Sequence, residues 1–173
     1  MMKKLIFIFS IFMLVSACKK EATKEVVVDE TEKIPSVKTY NYNQLKPRLE
    51  RQDDKIYVIN FWATWCAPCV KELPYFEKIK KEYATKNVEI LLVSLDFPKQ
   101  IDKKLIPFIN KNNLQSEVVL FDDVNEDVWI KAIDENWTGA LPATLIYSKN
   151  KRKFFEQSFT YETLENELKP FLK

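Results

Sequence analysis

The sequence lacks histidine, nearly lacks glycine and carries little excess charge of either sign. Its 173 residues include three cysteines, one glycine and no histidine, and the formal net charge is +2. A chain so close to neutral has no strongly basic surface, so we expect no nucleic-acid partner. A zinc site ordinarily takes four Cys or His ligands, and the chain has three cysteines and no histidine, so we expect no metal. We expect no other cofactor either. With 46% hydrophobic residues, the chain can nevertheless bury one core of ordinary domain size.

The scarcity of glycine has a consequence for the turns. Asparagine is the next residue type to take left-handed backbone, so we expect asparagines at many turns and helix ends. The one glycine, Gly139, we place where two backbones approach closely.

The first 17 residues predict a signal peptide. The apolar run 5–15 is about 11 residues, roughly half the length that a membrane-spanning helix needs. It follows a short basic start and precedes the letters VSAC, which resemble the lipobox of bacterial lipoproteins. That resemblance implies cleavage before Cys18 and a lipid on Cys18. Cleavage without a lipid and a buried N-terminal helix are the alternatives.

Residues 18–35 predict a flexible, charged tether. Beyond Cys18 the segment is rich in lysine and glutamate and has little to bury, so we expect a solvated chain of at most ~60 Å. Its valine triplet at 26–28 could alternatively pair as an edge strand. A folded domain then occupies 36–173.

That domain alternates between predicted strands and helices. The run 56–62 is apolar on both faces, as in a central strand covered on each side. The alternation of strands and helices, with a closing hairpin, predicts an α/β fold with a mixed sheet and helices on both faces. The predicted strands are 36–40, 56–62, 88–95, 117–121, 143–148 and 152–159, and the predicted helices are 42–51, 67–84, 98–113, 125–137 and 161–172.

Two cysteines, Cys66 and Cys69, lie at the start of the predicted helix 67–84. The unpaired N–H groups and partial positive charge of a helix start favour a thiolate, and cysteines in such a turn often have lowered pKa values. Pro68 suits the first turn because its missing N–H is not needed there. A structural disulfide would close a tiny loop with little gain in stability, and a metal site lacks ligands. We therefore favour a redox pair over those two alternatives.

The letters WCAPC at 65–69, followed by ELP at 72–74, resemble the thioredoxin superfamily and in particular its membrane-tethered TlpA/ResA-like branch. The resemblance covers about 36–173. It implies a three-layer α/β/α fold around a central mixed sheet and a thiol–disulfide oxidoreductase activity. Cys66 would attack the target disulfide and Cys69 would resolve the mixed disulfide. Trp65, Ala67 and Pro68 would contact substrate, while Trp62 would either join this surface or belong to the core.

A second part of the resemblance is WTGALPATLIY at 137–147. Leu141-Pro142 occupies the position of the cis-proline that thioredoxin-like proteins place opposite the cysteines. This implies that the backbone of Leu141 pairs with an extended substrate segment and that Pro142 packs against the disulfide. The alternative is an ordinary trans proline at the start of a strand.

The sequence departs from cytoplasmic thioredoxin at Asn60, which stands where that protein has a buried aspartate. The tethered branch commonly has asparagine there and an acidic residue three positions after the second cysteine, which Glu72 matches. A carboxylate at this position could tune the thiols and accept the proton of the resolving thiol. Glu72 could equally be a solvated helix residue.

The resemblance implies a monomeric reductant of protein disulfides that serves, for example, cytochrome c maturation and is re-reduced by a membrane electron donor. Strongly oxidising relatives tend to have histidine between the cysteines, and this chain has none. The lipid on Cys18 would hold the protein in the periplasm, and Lys19 favours the outer membrane because it differs from the common retention signal. A disulfide oxidase or isomerase, a peroxidase and a non-redox binding module are the alternatives.

Overall fold

The computed structural model describes residues 37–172. The predicted signal peptide, lipidated Cys18 and tether lie outside these residues. Within them, no helix has the length and hydrophobicity to cross a membrane.

The described residues form a mixed sheet in the order β1-β4-β3-β2-β5-β6. β1, β4, β3 and β2 are parallel to one another, whereas β5 runs antiparallel to β2 and β6 antiparallel to β5. The predicted central strand and closing hairpin are therefore confirmed. The strands are β1 (Lys38–Tyr40), β2 (Ile56–Trp62), β3 (Val88–Ser94), β4 (Glu117–Phe121), β5 (Ala143–Ser148) and β6 (Lys151–Phe155).

Five α-helices occur in the same part of the chain: α1 (Tyr42–Leu45), α2 (Ala67–Glu82), α3 (Ile106–Lys111), α4 (Glu126–Ile133) and α5 (Tyr161–Leu168). Four predicted helices are shorter than expected. The helix predicted over 125–137 ends at Ile133, because Asp134 has extended backbone. Each of the other three contains a proline where its regular α-helical part begins or ends. Pro47 and Pro170 lie in the 3₁₀ turns that follow α1 and α5. Pro107 has no N–H for an i→i−4 bond, and a π-helical stretch, Ile101–Leu105, precedes α3.

The last strand is also shorter than predicted. β6 ends at Phe155, which pairs with Thr144 near the beginning of β5. The next residue, Glu156, leaves the ladder, and its carboxylate accepts hydrogen bonds from the N–H groups of Thr138 and Ala140.

The sheet separates two apolar cores, because alternate residues of β2 point to opposite faces. Val58 and Trp62 pack with residues of α2, α3 and α5, and both cysteines belong to this cluster. Tyr57, Ile59 and Phe61 pack on the other face with residues of α1 and α4. Each large side chain buried in this way contributes ~1.5–3 kcal/mol. Helices therefore cover both faces, as predicted.

Asparagines do take left-handed positions in this glycine-poor chain. Asn87 and Asn113 have φ values of 56° and 49°, at the ends of helical segments. Gly139 has φ 93°, and a Cβ there would lie 3.0 Å from Cδ1 of Ile130. The prediction for Gly139 needs correction: its neighbour is a side chain, and left-handed backbone is the stronger requirement.

Candidate active site

A disulfide joins Cys66 to Cys69 where β2 turns into α2. Cys66 is the N-cap residue of α2, and its Sγ accepts a hydrogen bond from the N–H of Cys69 at 3.3 Å. Cys66 is 7% exposed and Cys69 is completely buried. Cys66 is thus the more exposed residue of the pair, and its sulfur accepts a hydrogen bond at a helix start, where N–H groups stabilise a thiolate.

The residues around Cys66 divide into surface and core. Trp65 is 57% exposed, and Ala67 and Pro68 are also exposed. Trp62 is completely buried, with its ring centroid 5.4 Å from that of Phe108. Trp62 therefore belongs to the core and does not join Trp65 in a surface beside the sulfur. The substrate contacts predicted for Trp65, Ala67 and Pro68 stay predictions.

The Leu141–Pro142 peptide bond is cis, as predicted. The next residue, Ala143, pairs with Phe61 in the β2–β5 ladder. Pro142 is buried, and because it directly precedes Ala143 it lies near the end of β2, where the chain leaves the sheet to form the disulfide turn. Leu141 is half-buried and packs against both cores. The roles proposed for these two residues in substrate binding stay predictions.

Glu72 is buried in α2, one helical turn after Cys69, and is only 1% exposed. Its Oε1 accepts a hydrogen bond from Nδ2 of Asn60 at 2.9 Å, and its Oε2 accepts one from the N–H of Phe159 at 2.7 Å. The alternative of a solvated helix residue is therefore wrong. Burial raises the pKa of Glu72 to about 7, against the two hydrogen bonds that lower it. A carboxyl group of this kind can exchange a proton near neutral pH.

Asn60 connects this carboxyl group to the sheet. Its Nδ2 also lies 3.1 Å from Oγ1 of Thr144 and 3.4 Å from the carbonyl oxygen of Ala143. Its Oδ1 is buried and has no hydrogen-bond partner among the described residues. The buried Oδ1 of Asn60 is thus an unused acceptor, to which a protonated neighbouring group could donate a hydrogen bond.

Asp96 is a site residue that the sequence analysis missed. It is 2% exposed and lies just after β3, at the carboxyl end of the parallel strands, where β2 also leads to the cysteines. Its carboxylate accepts hydrogen bonds from the N–H and Oγ1 of Thr64, at 3.0 and 2.6 Å, and from Oγ of Ser94 at 2.8 Å. Asp96 therefore fixes the turn immediately before Trp65 and Cys66. An acidic residue directly after a buried parallel strand was the available signal.

The part of the chain described by the structure contains no group of three or more His, Cys, Asp or Glu residues that could hold a metal ion. The arrangement is instead that of a dithiol–disulfide pair with a buried acid behind it.

Comparison with known proteins identifies the family. The model of the AhpC/TSA family matches residues 31–152. The chain is 33% identical over 128 residues to the thiol-disulfide oxidoreductase ResA of Bacillus thuringiensis, an alignment covering 74% of this chain and 68% of ResA. It is 31% identical over 97 residues to the thioredoxin-like protein YneN of Bacillus subtilis, covering 56% of each chain.

Solved structures share the fold. A thioredoxin-related protein from Neisseria meningitidis serogroup B has a TM-score of 0.58 and 23% identity, covering 69% of this chain and 86% of its own. A DsbF homologue from Corynebacterium diphtheriae has a TM-score of 0.55 and 21% identity, covering 69% and 73%. The chain belongs to the AhpC/TSA family and is a thioredoxin-like protein of the thiol–disulfide oxidoreductase type.

Proposed function

We propose that this oxidoreductase reduces disulfide bonds of proteins outside the cytoplasm. The observation that carries the proposal is the Cys66–Cys69 disulfide at the N-terminus of α2, with Cys66 the more exposed partner. A buried disulfide with both sulfurs inaccessible would instead have favoured a structural role.

The reaction is a two-step thiol–disulfide exchange. In the reduced chain, the thiolate of Cys66 attacks one sulfur of the target disulfide, and the other target sulfur leaves as a thiolate that takes a proton. Cys69 loses its proton and attacks Sγ of Cys66, which releases the second target thiolate. Two electrons pass to the target, and the Cys66–Cys69 disulfide remains.

Glu72 is the group proposed to accept the proton of Cys69. It lies one turn further along the same helix, is shielded from solvent, and has a pKa raised to about 7 by burial. A base is most effective when its pKa lies near the working pH. Asn60 and the N–H of Phe159 stabilise its charged form once the proton has left.

The reducing direction is supported by the residues between the cysteines. Ala67 and Pro68 carry no charge, so nothing between the cysteines adds to the stabilisation of a Cys66 thiolate by the helix start. A highly stabilised thiolate makes a disulfide strongly oxidising. The proposed chain therefore gives electrons to protein disulfides, with cytochrome c maturation as one process it would serve, and receives them from a membrane donor.

The proposed location rests on the N-terminal sequence. Residues 1–17 would be removed as a signal peptide, and a lipid on Cys18 would hold a monomeric, periplasmic domain to the membrane through the tether. Lys19 favours the outer membrane. Mass spectrometry of the mature N-terminus tests the lipid, and Cys18→Ser is expected to move the protein from the membrane to the soluble fraction.

The reduction potential of the Cys66–Cys69 pair tests the function. The full-length chain is equilibrated with dithiothreitol or glutathione buffers, and the fraction of disulfide is read by alkylation. A value near that of thioredoxin, about −270 mV, supports a reductant, while a value near −120 mV indicates an oxidase. Each ~30 mV corresponds to a tenfold change in the equilibrium constant. A Cys66→Ser/Cys69→Ser variant with full biological function would contradict any redox role.

A further inference from the structure

A groove lies directly beside the disulfide turn, and the exchange reaction does not account for it. We name it the Trp65 groove. It is shallow and open to solvent, has a volume of about 330 Å³, and is lined by Thr64, Trp65, Lys104, Pro107, Phe108 and Lys111. Because Trp65 immediately precedes Cys66, a polypeptide bound through its sulfur to Cys66 has its neighbouring residues within reach of the groove.

The groove has a fixed apolar floor. Phe108 packs against the buried ring of Trp62, and the turn carrying Trp65 is held by the hydrogen bonds from Thr64 to Asp96. Trp65 is 57% exposed, so its ring is available to a partner. An exposed aromatic ring beside a rigid apolar floor is a surface that can bury an apolar side chain of a partner.

The far wall of the groove is positively charged. Lys104, Pro107, Phe108 and Lys111 lie on the segment that runs from the π-helical stretch into α3, and all four line the groove. Both lysines are exposed, and neither forms an ion pair with any of residues 37–172. No acidic side chain lines the groove. The nearby carboxylate of Asp96 is buried and already accepts hydrogen bonds from Thr64 and Ser94.

We propose that the Trp65 groove binds the segment of the protein substrate next to its reactive cysteine, and that it selects segments with an apolar side chain close to an acidic one. The apolar side chain packs on Trp65 and Phe108, and the carboxylate pairs with Lys104 or Lys111. This inference rests on the proposed function, because it names the substrate class of the same cysteine pair. Charge complementarity of this kind increases both the association rate and the specificity.

Two disulfide-bonded peptides test the proposal. They are identical except that the acidic residues beside a phenylalanine, near the cysteine, are replaced by their amides in the second peptide. Rate constants for reduction by the reduced full-length chain are measured at low salt, with uncharged hydroxyethyl disulfide as a reference. The wild-type chain is expected to prefer the acidic peptide roughly twofold to fivefold, as one exposed charge pair allows.

Lysine substitutions locate the preference. Lys104→Gln/Lys111→Gln is expected to reduce the two peptides at similar rates and to keep its rate with hydroxyethyl disulfide. Lys99→Gln/Lys103→Gln is the matched control: both of these lysines are exposed and lie outside the groove, and the change in net charge is the same. The control is expected to retain the preference. If both double variants lose the preference for the acidic peptide to the same extent, the preference comes from general charge attraction, and the proposal is overturned.

The outcomes also separate this proposal from the proposed function. If the wild-type chain reduces hydroxyethyl disulfide and both peptides at rates without preference, the groove proposal fails and the proposed function stands. If it reduces none of the three, both fail. The chain's own segment VVVDE at 26–30 has a similar character. If Asp29→Asn/Glu30→Gln increases the rate with the acidic peptide, segment 26–30 competes with the peptide for the groove. That outcome would overturn the proposal.

Discussion

Asn60 donates a hydrogen bond to Glu72 at 2.9 Å inside a core from which solvent is almost completely excluded. This contact joins the central strand to the helix that begins with the cysteine pair. It places an ionisable group, with its pKa raised to about 7, behind the disulfide. We therefore expect the ionisation of Glu72 to change both the free energy of unfolding and the rate of thiol–disulfide exchange.

We expect the stability of the oxidised chain to decrease as the pH rises from about 4.5 to 7. Folding raises the pKa of Glu72 from 4.5 to about 7, so in this range the folded state binds more protons than the unfolded state. The full difference corresponds to about 3 kcal/mol at pH values above 7. The chain has no histidine, the residue that ordinarily titrates in this window. Urea unfolding at a series of pH values measures the slope.

Glu72→Gln is expected to remove that slope, while Glu135→Gln, a change at an exposed glutamate, retains it. An unchanged slope in Glu72→Gln would assign the titration to another group. In the exchange reaction, Glu72→Gln is expected to slow the attack by Cys69 most strongly above pH 7. Unchanged exchange rates and unchanged thiol pKa values would remove Glu72 from the mechanism.

Asp96→Asn is expected to destabilise the chain by about 2 kcal/mol, because hydrogen bonds to a buried charged acceptor are stronger than neutral ones. An amide also presents a donor toward the N–H and Oγ1 of Thr64. Chemical denaturation measures the loss. Asp102→Asn, at an exposed position of the π-helical stretch, is the control and is expected to change little. Equal stability of the two variants would show that the turn before Cys66 does not depend on Asp96.

Gly139→Ala is expected to destabilise the chain by ~1–2 kcal/mol, since φ 93° disfavours any residue with a Cβ. The added Cβ would also lie 3.0 Å from Cδ1 of Ile130. Ile130→Val removes that atom, so a double-mutant cycle separates steric contact from backbone strain. We expect partial recovery in the double variant. Complete recovery would show that contact with Ile130 is the whole effect.

Cys69→Ser is expected to accumulate a mixed disulfide between Cys66 and the substrate, because the resolving thiol is absent. Cys66→Ser is expected to accumulate none, since Cys69 is completely buried. Non-reducing electrophoresis and mass spectrometry of the trapped species distinguish the two variants. Trapping by Cys66→Ser would reverse the roles of the two cysteines.

Sequence reasoning located the cysteine pair and the central strand because each depends on neighbouring residues. An apolar run that leads into WCAPC specifies a strand, a turn and a helix start within a short stretch. The cis-proline was predicted from the resemblance to thioredoxin-like proteins, since Leu141-Pro142 alone equally fits an ordinary trans proline at the start of a strand. The helix boundaries were less predictable. Hydrophobic spacing continues across Pro47, Pro107 and Pro170, whereas the α-helical i→i−4 pattern of backbone hydrogen bonds does not, and 3₁₀ bonds span Pro47 and Pro170 instead.

The burial of Glu72 and the role of Asp96 depend on distant partners. Glu72 accepts a hydrogen bond from the N–H of Phe159, 87 residues away, and Asp96 accepts its bonds from Thr64 across 32 residues. A helix pattern alone cannot tell whether a glutamate near the start of α2 faces solvent or the sheet. Only the packing of the 156–160 segment against α2 decides that.

The separation of the two cores by the sheet restricts where a change of redox state is felt. Both cysteines pack in the core that contains residues of α2, α3 and α5, and the core of α1 and α4 lies on the opposite face. Reduction of the disulfide should therefore alter amide hydrogen exchange in α2 and its neighbours on that face. Exchange in α1 and α4 should remain nearly constant, so the far face would serve as an internal reference within the same molecule.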